Sequence, residues 1–142
     1  MIQIIDNFLP EEEFKSIQSL MMGGEFKWYY CKGLDREDDG LYHMLHMFFQ
    51  PRVGSNSEYL EIWNTFMNKV EAKECTRIKA NLTFKTSTIE PAEYHMDFDD
   101  MKTAVFYINT NNGYTEFESG VRVSSVANRV CIFDSNLKHR GT

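Results

Sequence analysis

The chain has 142 residues, of which 42 % are hydrophobic and 14 % aromatic, and it carries a formal charge of -6. That apolar content excludes an intrinsically disordered chain, and the length suits a single domain, 1–142, able to bury a core. The acidic balance argues against a nucleic-acid-wrapping surface, on which Lys and Arg must neutralise phosphates. No apolar run approaches a membrane span, so no membrane partner is expected. The opening Met1-Ile2-Gln3-Ile4-Ile5-Asp6 has neither the basic head nor the cleavage site of a signal peptide. Cys31, Cys75 and Cys131 are odd in number and far apart, which reads as free thiols in a reducing compartment. A cytoplasmic protein is expected.

In chain order, Ile2, Ile4 and Ile5 predict a short strand. Asp6-Asn7 then leads into a helix with Pro10 near its first turn, where a missing N–H costs nothing. Glu11, Glu12 and Glu13 favour the positive end of that helix. Phe14, Ile17, Leu20 and Met21 recur at helical spacing, and Gly23-Gly24 ends the run. Segments 27–31 and 44–49 are aromatic-rich and read as strands. The charged stretch between them, Gly33 to Gly40, is either a lid or a solvated connection. His43 and His46 stand three apart, on opposite faces of a strand, which makes them poor joint ligands.

Ser57 is placed to cap a second helix running to about Lys73, with Leu60, Trp63, Phe66, Met67 and Val70 as its apolar face. After Glu74 the period changes to two. Ile78, Ala80, Leu82 and Phe84 alternate with polar residues, as a strand with one buried face requires. Further short strands are expected at 101–109, 115–118, 120–126 and 129–133, with Thr110-Asn111-Asn112-Gly113 as a turn. Helices first and close-set strands after them predict an α+β fold, mainly β: a sandwich or jelly roll backed by N-terminal helices.

Glu93-Tyr94-His95-Met96-Asp97 carries the chemistry. In an extended chain, residues two apart point the same way, so His95 and Asp97 can grip one metal ion. A buried histidine with an ordinary partner fits the same pair of residues. His139 is the candidate third ligand, because the apolar run 129–133 and the polar turn Asp134-Ser135-Asn136 carry the chain onward to it. Two histidines and one carboxylate leave open coordination positions, the arrangement that suits non-heme Fe(II).

The last two-thirds of the chain resembles the 2-oxoglutarate/Fe(II)-dependent dioxygenases, in their prolyl-4-hydroxylase-like branch. The resemblance lies in His95-Met96-Asp97, Val105-Phe106-Tyr107-Ile108-Asn109, Gly113-Tyr114-Thr115-Glu116-Phe117, and the run from Phe133 to His139 that contains Ser135. The opening Ile5-Asp6-Asn7-Phe8-Leu9-Pro10 resembles the family's approach to its first helix. The small size and the wording around Asn111 and Asn112 are similar to phage-encoded members, which would place the protein in a host cytoplasm.

The resemblance implies a double-stranded β-helix, that is a jelly roll, with metal ligands and catalytic residues His95, Asp97 and His139. It implies Fe(II), 2-oxoglutarate as cosubstrate and O2, with ascorbate as an optional addition. The implied reaction hydroxylates a C–H of a peptide or small-molecule substrate and releases succinate and CO2. Tyr107 would meet the far carboxylate of 2-oxoglutarate, with a plain core aromatic as the alternative. Thr115 and Phe117 would line the pocket, and Asn81 would contact cosubstrate or substrate.

The chain departs from the family in one respect. Most members carry an Arg or Lys on a strand beyond the last histidine, where a guanidinium suits a carboxylate. Here Arg140-Gly141-Thr142 follow His139 directly, so the expectation is a fragment lacking its last strand, the alternative being a complete protein whose cosubstrate site is altered or lost. Arg140 should point away from the metal, and nothing in the spacing favours Arg122, Arg129 or Lys79. The competing reading is a metal-binding jelly-roll module without oxygenase activity, a scaffold or phage accessory protein. Oligomeric state is not legible in the sequence.

Overall fold

The computed structural model describes residues 1–33 and 42–142, so the charged loop around Asp35 to Asp39 lies outside the described residues. In chain order the elements are β1 (Ile2–Ile5), α1 (Glu11–Met21), β2 (Tyr29–Lys32), β3 (Tyr42–Gln50), β4 (Ser55–Asn56), α2 (Asn64–Lys69) and β5 (Ile78–Leu82). They continue with β6 (Lys102–Tyr107), β7 (Tyr114–Phe117), β8 (Arg122–Ser124), β9 (Arg129–Asp134) and β10 (His139–Arg140). Strand outweighs helix and the described strand pairings are antiparallel, so the class is α+β, mainly β. No described helix is long and apolar enough to cross a membrane. Cys31, Cys75 and Cys131 are free thiols.

The chain divides into two compact units: Met1–Met21 with Thr86–Thr142, and Met22–Lys85. The first holds two three-stranded sheets, ordered β1-β9-β6 and β10-β7-β8. Both contribute to one core of Tyr107, Phe117, Val123, Cys131 and Phe133, with Ile2, Val105 and Leu137 packed at its margin. The Phe117 ring meets Phe133 edge-on, 4.9 Å between centroids. Alternation along β6 explains its two sides. Val105 and Tyr107 turn to this core, while Phe106 meets Phe14 of α1, ring centroids 5.9 Å apart.

Pro10 and the three glutamates stand at the start of α1 as the sequence predicts, and the helix buries Phe14, Ile17 and Met21. Asn128 fixes the approach to it. Its φ of 62° is a left-handed conformation that Asn tolerates better than most residues. The Asn128 side chain accepts the Leu9 N–H and donates to the Leu9 carbonyl, both at 2.9 Å. Two buried backbone groups are thereby satisfied where the chain has no regular structure.

In the second unit β3 is central, pairing with β2, β4 and β5. The predicted helix from Ser57 to Lys73 is not what forms. A 3-10 turn, Leu60–Trp63, runs into the six-residue α2, and Glu71 with φ 52° ends it. The Ser57 hydroxyl accepts the Tyr59 N–H at 3.1 Å and caps no α-helix. Trp63, the last residue of the 3-10 turn, sits edge-on against Phe48 (5.3 Å), and Phe66 of α2 sits edge-on against Trp63 (5.8 Å). The β5 strand likewise stops at Leu82, and Phe84, expected on its buried face, is exposed.

Candidate metal centre

His95 belongs to no regular strand. It forms a single antiparallel bridge with His139, the first residue of β10. Each backbone N–H donates to the other's carbonyl, at 2.9 and 3.0 Å. The two histidines are therefore direct cross-strand neighbours, with ring centroids 4.6 Å apart. Asp97 is tied in by its N–H, which donates to the Ser135 carbonyl at 3.1 Å. The turn after β9, closed by Leu137 N–H to Asp134 O, brings His139 back beside both.

One donor atom from each of His95, Asp97 and His139 lies within 4.8 Å of the others. His139 Nε2 stands 3.6 Å from Asp97 Oδ2, too far for a hydrogen bond. It is close to the separation of roughly 3 Å that neighbouring ligands adopt when bonds to a metal are about 2.0–2.2 Å. The group could hold a metal ion.

The protonation pattern fits that role. His95 Nδ1 lies 3.2 Å from the Glu93 carbonyl and His139 Nδ1 lies 2.9 Å from the Leu137 carbonyl. A carbonyl only accepts, so each Nδ1 must carry the proton, and each Nε2 keeps a lone pair for a metal. Asp97 Oδ2 accepts from the Thr103 hydroxyl at 2.8 Å. With its proton so committed, Thr103 accepts in turn from Ser135, at 2.8 Å. These bonds orient a ligand carboxylate in the way outer-shell partners of metal sites do.

Burial is graded across the group. His139 is buried against Phe133 (4.7 Å) and within reach of Phe117 (6.1 Å), Asp97 is half-buried, and His95 is exposed. One side is walled by core and the other is open to an incoming ligand. Comparison of the chain with family models, curated proteins and solved structures gives no match. The functional reading rests on these residues.

Of the other residues singled out in the sequence, Tyr107, Thr115 and Phe117 come together in the core that His139 packs against. Tyr107 donates to the Thr115 hydroxyl at 2.7 Å, and burial pushes the Tyr107 phenol up to about 12. Asn81 lies exposed on β5 of the second unit, opposite Leu45.

The cations near the site are engaged. Arg122 and Arg140 both bind Glu116, Arg129 binds Asp6, Lys138 binds Glu118, Lys102 binds Asp134 and Lys15 binds Glu11. These are all the lysines and arginines of the first unit.

The sequence reading missed Thr103, Ser135 as a partner, and Glu116. Thr103 was discoverable by parity, since it shares a face with Val105 and Tyr107. Glu116 was not, because its partners lie on strands whose register the sequence does not state.

Proposed function

We propose that His95, Asp97 and His139 hold Fe(II), and that the chain is a 2-oxoglutarate-dependent dioxygenase on a jelly roll made from its two facing sheets. Its substrate would be a C–H of a peptide or amino acid. The convergence of three metal donors, with both Nε2 lone pairs left available, carries this reading. Two histidines and a carboxylate with an open side suit Fe(II) that must also accept ligands. Iron and 2-oxoglutarate, once bound, supply an oxidative decarboxylation that yields succinate and CO2 and places one oxygen atom of O2 in the substrate C–H.

The chain's own contribution is positional. The Glu93 and Leu137 carbonyls fix the imidazole tautomers, and Thr103 fixes Asp97. Phe117 and Phe133 keep water from the His139 side. The Tyr107 and Thr115 hydroxyls are the polar pair of the adjoining core suited to meet a carboxylate. Exposed His95 marks the side from which substrate would approach.

One observation favours a second reading, a metal-binding module without oxygenase activity: every cation of this unit is already paired with a carboxylate. The test is succinate formation from 2-oxoglutarate with peptide and amino-acid pools. The dioxygenase reading expects succinate that requires Fe(II) and disappears in Asp97→Ala. Metal uptake with neither 2-oxoglutarate binding nor succinate would establish the module instead.

A further inference from the structure

Behind the metal donors, on the other face of the same strands, lies a second cluster. Register places Glu116 opposite Arg140 on one side and Arg122 on the other. The row thus crosses β10, β7 and β8, one residue away from His139 and Phe117. Alternation puts His139 and Phe117 on the core face and Arg140 and Glu116 on the opposite one. Glu116 is nonetheless buried, 5 % exposed, a depth at which a carboxylate must be paired.

Its two oxygens receive four hydrogen bonds. Arg122 Nε donates to Oε1 at 2.6 Å. Arg140 donates to Oε2 through Nε at 2.8 Å and Nη2 at 2.5 Å, and the Tyr94 hydroxyl donates to Oε2 at 3.1 Å. The Arg140 guanidinium also lies over the Tyr94 ring, 4.3 Å from its centroid. Tyr94 immediately precedes His95, and Arg140 immediately follows His139. One carboxylate therefore holds both ligand-bearing segments from behind.

We infer that Glu116 is a positioning residue for the metal centre, setting the spacing of His95 and His139 through Tyr94 and Arg140. This rests on the reading of His95, Asp97 and His139 as metal ligands. The His95 segment needs such a clamp because it has no regular strand of its own. It is otherwise held by point contacts, among them the single bridge, the Ala92 and Asp97 backbone bonds and the Thr103 bond to Asp97. Three bonds of the clamp go to the ligand-bearing segments, and the fourth, from Arg122, goes to β8, which carries no ligand.

That asymmetry supplies the test. Co(II) is titrated into the wild type and into Glu116→Gln, Tyr94→Phe, Arg140→Gln and Arg122→Gln. Affinity and visible ligand-field bands are read in parallel with metal-free thermal unfolding. Glu116→Gln, Tyr94→Phe and Arg140→Gln are expected to weaken Co(II) by about tenfold, the lower end for outer-shell partners, and to shift the bands. Arg122→Gln is expected to lower the melting temperature while leaving affinity and spectrum as in the wild type.

Wild-type affinity in Tyr94→Phe and Arg140→Gln would overturn the inference. So would losses that merely follow stability across all four variants. If Glu116→Gln fails to fold, Tyr94→Phe, which deletes one hydroxyl, decides alone. A wild type that takes up no Co(II) removes the metal reading itself. A wild type that binds, with unchanged variants, removes only the role of Glu116.

Discussion

His46 of the second unit and the two histidines of the first are used in opposite ways. In the second, His46 is buried among Phe26, Phe48 and Tyr59, and both ring nitrogens are engaged. Its Nδ1 lies 2.6 Å from the Lys27 carbonyl, so it donates there, and Nε2 accepts from the Ser57 hydroxyl at 2.7 Å. His46 is a staple between three segments, with no lone pair left over. In the first unit, His95 and His139 each commit only Nδ1, in both cases to the carbonyl two residues earlier. His139 Nε2 stands 3.6 Å from Asp97 Oδ2, and a ring nitrogen of His95 lies within 4.8 Å of a donor atom of each. Burial and aromatic neighbours are common to His46 and His139, and what separates them is the second ring nitrogen, hydrogen-bonded in His46 and facing Asp97 in His139.

Substitutions separate the two roles. The largest effect is expected from Phe133→Ala, which empties a fully buried site and removes the ring walling His139. A loss of about 3–5 kcal/mol is expected from urea unfolding, as for other buried Phe→Ala changes. Metal affinity should fall with it, whereas Phe48→Ala in the second unit should cost similar stability and leave metal affinity intact.

Next comes Asp97→Ala. It should reduce Fe(II) affinity by at least about a hundredfold, beyond what loss of an outer-shell partner usually does. His46→Ala is the counterpart. It should leave metal binding unchanged in calorimetry but destabilise by about 1–3 kcal/mol, because the Lys27 carbonyl and Ser57 hydroxyl lose their partner.

Thr103→Val, which strips Asp97 of its orienting donor, should weaken metal by about tenfold with little change in stability. The smallest effect is in the acid arm of the stability profile. Arg122 and then Arg140 hold Glu116 down at about 2, against an ordinary 4.5. A carboxylate lowered on folding stabilises above its unfolded pKa, and that contribution disappears as pH falls from 4.5 towards 2. Glu116→Gln should flatten this part of the curve in urea midpoints measured against pH.

What was legible in the sequence follows physical range. Alternation gave β5 to within a few residues, because burial of one face writes a period of two into the chain, while the apolar run 129–133 gave β9 without it, since Val130 and Cys131 on opposite faces are both buried. Pro10 and Glu11 to Glu13 gave the start of α1. The two-residue spacing of His95 and Asp97, and the strand-then-turn before His139, gave the three donors. The second helix was misread because apolar spacing alone does not separate one long α-helix from a 3-10 turn ending at Trp63 that runs into a short α-helix carrying Phe66. Glu116 was invisible for a different reason. Its meaning comes from register with Arg122 and Arg140, and nothing local to Tyr114-Thr115-Glu116-Phe117 announces it.

We propose that His95, Asp97 and His139 form a centre for Fe(II) and 2-oxoglutarate. The most direct test is an anaerobic titration of the protein with Fe(II) and then 2-oxoglutarate, watching for the visible metal-to-ligand charge-transfer band of a chelated keto acid. A saturating band, absent in Asp97→Ala, is the predicted result. Fe(II) bound without any band on adding 2-oxoglutarate, or no Fe(II) bound at all, would contradict it.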